Sequence, residues 1–220
     1  MPFPTGVGLV VFMFESHEIM TDLIIRQEQP VDHPVMENLV RDAFWDVYRP
    51  GASEHLLIHN LRRHPSYLPE FSFIAELDGR PAGGIWYALC DIEKPDGARI
   101  PIPALGPIGV APAFQKQGIG SALIRHTLPL VKATGHPGIV LFGDPVYYGR
   151  FGFTPGLEAG IAACDGNFYD VLQLVRFDAS ADLAGRFQES EPYQVKQDEV
   201  DAFEIWFPPR EKHVLPTQLH

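Results

Sequence analysis

The stretch LGPIGVAPAFQKQGIGSALIRHTL, Leu105–Leu128, sets the fold of this chain. An apolar run ending at Val110 passes through a Pro-containing turn into Gln115-Lys116-Gln117-Gly118-Ile119-Gly120, and Ser121 then opens a helical pattern. Strand, glycine-bearing turn and helix N-terminus in that order make a place to hold phosphate. The first N–H groups of a helix have no partner inside it, and the helix dipole adds positive potential there. Gly118 and Gly120 carry no Cβ, so an anion can come close to the backbone.

The spacing excludes two common phosphate loops. A P-loop needs four residues between its glycines followed by Gly-Lys-Ser/Thr, and nothing here fits. A dinucleotide fingerprint needs a third glycine where Leu123 stands. What remains is Gln/Arg-x-x-Gly-x-Gly/Ala, and on these residues the chain resembles the GNAT superfamily of acetyl-CoA-dependent N-acetyltransferases. A second stretch supports it: GDPVYYGRFGF, Gly143–Phe153, follows the apolar run Gly138–Phe142 and ends in Tyr-x-x-x-Gly-Phe. Its wording is similar to the YhbS-type branch of that superfamily.

The resemblance implies an α/β fold, a mixed central sheet of six to seven strands flanked by helices on both faces. It implies acetyl-CoA as co-substrate, its pyrophosphate on the backbone of Gln115, Lys116, Gln117, Gly118, Ile119, Gly120 and Ser121. Its pantetheine arm would run along Ile108, Gly109 and Val110 like an extra strand, where the fourth and fifth strands splay. Tyr148 would protonate the departing thiolate. Thiol and phenol pKa values of about 8.5 and about 10 make that transfer feasible; Tyr148 packing in an aromatic core is the competing reading.

The acceptor would be a primary amine of a small molecule or peptide. An alkyl ammonium with a pKa near ~10.4 must lose a proton first. Many members of the superfamily carry a glutamate on or near the fourth strand for this, yet Ile102–Val110 holds no acid. Asp91, Glu93 and Glu76 are the nearest acids in sequence, each also readable as a solvated surface charge. Two other readings therefore stay open: a non-catalytic acyl-CoA-binding module, or an enzyme of this fold using another acyl group such as succinyl.

Composition agrees with a soluble globular chain: 220 residues, 45% hydrophobic, 20% charged. A net charge of −11 argues against a nucleic-acid partner and mildly favours a cationic substrate. Two cysteines, Cys90 and Cys164, give neither a disulfide framework nor metal-ligand spacing, and fit a reducing, cytoplasmic compartment. His55 and His59 stand at zinc-compatible i, i+4 spacing without a third ligand nearby, so a solvated helix face is expected. Gly6–Phe14 is apolar but too short to span a bilayer and lacks the flanks of a signal peptide; no membrane partner is expected. Homodimers are common among GNAT proteins, so a dimer is an open expectation.

Residues 1–19 are expected to be an upstream extension, poorly ordered or from a misplaced start, before an acetyltransferase domain over 20–180 and a C-terminal segment over 181–220 of open packing. Within the domain, Leu23–Gln27 reads as a strand. Val31, Val35, Leu39, Val40 and Phe44 recur at helical spacing with Asp32 as N-cap, and Ser53 caps a second helix through His64. Asp78-Gly79 turns a hairpin between Phe71–Ala75 and Gly84–Cys90. Asp91–Ile100 reads as a loop, Ile102–Ala111 as the fourth strand, with Pro103 and Pro107 marking a bulge, an edge or the splay. The motif helix runs to about Thr134, with Pro129 a point to kink or stop, and Gly138–Phe142 is the fifth strand. Phe168–Phe177 reads as a late strand and Asp178–Phe187 as a helical turn. Phe44, Trp45 and Tyr48 are acceptor-pocket or core candidates.

Overall fold

The structure is a computed structural model and describes residues 22–218; the expected extension over 1–19 lies outside them. The element order is β1 Leu23–Gln27, α1 His33–Phe44, α2 Glu54–Leu61, β2 Phe73–Leu77, β3 Arg80–Glu93, β4 Arg99–Val110, α3 Ile119–Ala133 and β5 Gly138–Phe142. Then come α4 Pro145–Tyr148, β6 Thr154–Pro155, β7 Ile161–Ala162, β8 Leu172–Arg176, β9 Gly185–Gln188 and α5 Gln197–Glu204. The sheet runs β1-β2-β3-β4-β5-β8-β6, with β9 joining β3 and carrying β7.

Alternation along the central strands buries both faces, as a sheet covered on both sides requires. Trp86, Ala88, Cys90 and Ile92 of β3 pack with Met36, Leu39 and Val40 of α1 and Ile58 and Leu61 of α2. Ile85 and Tyr87 point the other way, onto Ile119, Leu123 and Ile124 of α3. The mixed sheet with helices on both faces is the architecture expected.

Several local expectations change. Val31 and Val35 are exposed, and the inner face of α1 is Met36, Leu39 and Val40 instead. Asp32 does precede α1, but its carboxylate takes Arg26 at 2.7 and 2.8 Å and the Gln29 N–H rather than capping the helix. Asp91–Ile100 is mostly strand, because the β3–β4 ladder continues through Asp91↔Pro101 to Glu93↔Arg99 and leaves a short turn. Pro129 lies inside α3 without ending it. Asp178–Phe187 forms no helix: Asp178 and Asp182 make side-chain turns, and β9 follows.

The C-terminal segment packs on the domain. Leu183 and Phe187 enter the core, and α5 lies against α1 and α2. Glu204 takes three hydrogen bonds from Arg41, and the Trp45 indole donates to the Glu211 carbonyl at 2.9 Å. His55 is fully buried between Phe203 and Phe207, so it is not on a solvated face. His59 meets Phe203 and Glu37.

Candidate active site

Strands β4 and β5 are parallel and share a single register pair, Ala104↔Val140. Beyond Ala104 the edge of β4 that faced β5 has no strand partner among the described residues. The β3–β4 register also shifts between Ile85 and Tyr87, opposite Gly106 and Pro107. Pro107 therefore sits at a bulge beside an open edge, where its missing N–H costs little. Gly106 has φ +150°, and a Cβ built on it would meet open space. At Gly109 a Cβ would approach Val40 and Phe44, so that glycine serves the packing of α1. Ile108 and Val110 line the α3 face of the opened strand.

The loop after β4 behaves as its glycines suggest. Lys116 has φ +62° and Gly118, the N-cap of α3, has φ +85°. The first turn is closed by the Ala122 N–H on the Gly118 carbonyl, and the N–H groups from Lys116 to Ser121 have no partner among the described residues. They form a row of free donors at a helix start. Gln115 donates back to the Val110 carbonyl at 3.2 Å, fixing the loop to the strand. Cations gather around it on a chain of net charge −11: Lys116 itself, Arg80 over Phe114, Arg125 over Phe151 and Arg150 over Tyr147 at 4.4 Å.

Across the opening stands α4, capped by Asp144, whose Oδ1 accepts the Val146 N–H at 2.9 Å. Tyr147 and Tyr148 are edge-on at 5.0 Å, and Tyr148 rests edge-on against Phe153 at 5.8 Å. Gly143 is required beneath it, since a Cβ there would enter the Tyr148 ring. Burial, then the neighbouring Tyr147, Tyr48 and Asp144, push the Tyr148 phenol well above its ordinary pKa. It stays protonated at neutral pH and is a proton donor. Tyr87 faces the same cluster, its hydroxyl 2.8 Å from Thr127 Oγ1.

The acids considered from sequence do not come together here. Glu76 holds Arg26, Glu93 accepts from Gln188, and Asp91 lies 3.6 Å from Arg99. Two acids that sequence reasoning passed over are half-buried near the opening. Glu54 starts α2, accepts the Ser53 N–H at 2.9 Å and is pushed up by burial; its charge reaches Tyr48. Glu189, just past β9, is likewise raised by burial. Tyr193 was also missed: its hydroxyl donates to the Gly106 carbonyl at 2.8 Å. Nothing in the local sequence marks these three, because the fold brings them in from segments distant from both motifs. Among the described residues no group of His, Cys, Asp and Glu is arranged to hold a metal. Trp45 is buried under the tail, while Tyr48 remains 46% exposed at the opening and is the one of the aromatic trio free to meet a ligand.

A splayed parallel pair, a helix start with free N–H donors after one strand and a half-buried tyrosine after the other define a class of acyl-transfer fold. The chain belongs to the acetyltransferase (GNAT) family, whose model matches residues 37–153. It is 27% identical over 131 residues to the uncharacterized N-acetyltransferase YhbS of Escherichia coli K12, covering 60% of this chain and 73% of that one. A GNAT family acetyltransferase from Brucella melitensis, solved in complex with acetyl-CoA, is 29% identical with a TM-score of 0.63, covering 78% of this chain and 98% of its own. The Escherichia coli YhbS structure with CoA shares the fold at a TM-score of 0.69 and 23% identity, over 79% of this chain and 92% of that one. Among the described residues no helix is long and apolar enough to cross a membrane.

Proposed function

We propose that this protein transfers the acetyl group of acetyl-CoA to a primary amine on a small molecule or peptide. The observation that carries the reading is the row of N–H groups from Lys116 to Ser121 that, among the described residues, have no partner, beside a β4 edge likewise unpaired past Ala104. A diphosphate fits the first and an extended amide chain the second. That the Brucella relative was solved with acetyl-CoA supports the same ligand here.

In this reading the amine nitrogen attacks the thioester carbonyl, the C–N bond forms and the C–S bond breaks. Tyr148 gives its proton to the leaving sulfur, and the proton lost from nitrogen as the amide forms restores the phenol through solvent. The acidic chain steers a cationic amine toward the protein while the local cations hold the nucleotide.

Calorimetric titration of acetyl-CoA into the protein, with Gly120→Glu as control, tests it. Binding that the glutamate side chain abolishes supports the cradle, and amines are then screened by thiol release. No binding to the wild type overturns the reading. Binding without thiol release on any amine favours an acyl-CoA-binding module.

A further inference from the structure

The acceptor's ammonium must lose a proton, and β4 offers no acid to take it. On the α1/α2 face of the sheet, the C-terminal segment crosses toward the β4–β5 opening at two points. Phe187 of β9 reaches Phe142 at the end of β5, ring centroids 6.1 Å apart, and Tyr193 reaches the Gly106 carbonyl of β4. Glu189 lies between them. It is two residues beyond Phe187, and in extended chain that places both side chains on one face. Ser190 N–H donates to Cys90 Sγ at 3.3 Å, which pins this stretch over β3. Cys90 belongs to the core on the α1/α2 side, and both its thiol and the Tyr193 phenol feel the charge of Glu189.

Glu189 differs from the other acids in this region. Glu76, Glu93 and Asp91 face partners, and Glu54 accepts a backbone N–H beside its own helix start. Among the described residues Glu189 has neither a hydrogen bond nor an ion pair, and burial alone acts on its carboxyl. A half-buried carboxylate without a partner is costly to a fold and is suited to receive a cation or its proton.

We propose that Glu189 is the general base of the reaction, taking the proton of the acceptor ammonium on the face of the sheet opposite the phosphate loop. The proposal rests on the acetyl-transfer reading above. Glu189 removes one proton from nitrogen, and the freed lone pair attacks the thioester carbon. Tyr148 protonates sulfur from the α3 side, so acid and base work from opposite faces of the opening. Tyr193 is a positioning residue, its hydroxyl holding the β4 backbone at the Gly106 carbonyl.

The test uses the full-length chain and the fastest amine from a panel of spermidine, a lysine-bearing peptide and a peptide with a free N-terminus. Glu189→Gln is expected to lower kcat/KM for that amine at neutral pH by about 10²–10⁴-fold, the usual span for a lost general base, with the acetyl-CoA Kd unchanged. The pH profile separates chemistry from structure. Wild type levels off once its base is ionised, whereas Glu189→Gln keeps rising about tenfold per pH unit toward the amine's own pKa, so the two converge in alkali. Glu189→Asp is expected to recover part of the loss, and serves if Glu189→Gln folds poorly. Parallel pH profiles, a matching loss of acetyl-CoA affinity, or a wild-type rate in Glu189→Gln would overturn the proposal. A wild type that binds acetyl-CoA yet turns over no amine overturns the acetyl-transfer reading, and the base with it.

Discussion

The hydroxyl of Tyr147 lies 3.0 Å from where a Cβ on Gly120 would stand. The loop after β4 therefore meets α4 across the opening, and in the proposed reading Gly120 leaves room for a diphosphate at the helix start. Gly120→Ala crowds that hydroxyl, and the phenol must shift by a few tenths of an ångström. We expect Gly120→Ala to weaken acetyl-CoA binding by less than Gly120→Glu does, with both variants folded. Gly118→Ala acts differently: a Cβ there meets nothing, but φ is +85°. Its cost is backbone strain of roughly 1–2 kcal/mol, read as a lower urea midpoint. Calorimetry and urea melts on the three variants separate ligand contact from strain.

Tyr148→Phe keeps the ring on Phe153 and over Gly143 and removes only the proton donor. The expected outcome is a kcat lower by about 10²–10⁴ with acetyl-CoA still bound. Because burial holds the phenol protonated well above neutrality, the wild-type rate carries no Tyr148 titration near pH 7. An unchanged kcat in Tyr148→Phe removes it from the mechanism.

The two motifs were legible because their chemistry is local. Gly118 and Gly120 before a helical run define a turn without reference to the rest of the chain, and Gly138–Phe142 into Tyr148 does the same. Pro107 could be read as a bulge or splay because a proline in a central strand needs a reason, and the opened β4 edge supplies it. What stayed illegible depends on contacts distant in sequence. Glu189 and Tyr193 come to β4 only because β9 pairs with β3, and that strand hid in a Gly- and Asp-rich stretch resembling a turn. His55 looked solvated because nothing near it announces that α5 will cover it.

His55 makes stability depend on acid. Its ring is fully buried, and although Nε2 lies 2.9 Å from a Glu204 oxygen, neither nitrogen makes an aligned hydrogen bond among the described residues. Burial pulls its pKa down to about 4, with Arg41 and His59 acting in the same direction against Glu204. The unfolded histidine, near ~6.5, binds its proton first. Between those values the unfolded state carries more protons, so stability falls as pH falls, with a slope approaching about 1.4 kcal/mol per pH unit. Melting temperatures from pH 7.5 to 4.5 should drop, and His55→Gln should flatten that limb. A wild-type slope in His55→Gln assigns the acid sensitivity to other groups.

Arg41 and Glu204 join α1 to α5 with side chains only 5% and 14% exposed. Arg41 also donates to the Pro208 carbonyl at 3.0 Å and lies 4.3 Å over Trp45, so one guanidinium fastens the tail to the helix that packs on Gly109 of β4. Removing one partner leaves the other charge buried alone, which costs about 3–5 kcal/mol. Glu204→Leu should lower stability by an amount of that order in urea unfolding, and the α1–α2 connection near Tyr48 should exchange its amide hydrogens faster. Replacing both partners with apolar groups removes the stranded charge, so Arg41→Met with Glu204→Leu should recover much of the loss. If the double variant is no better than Glu204→Leu alone, packing around Arg41, including its stack on Trp45, outweighs its charge in holding the tail.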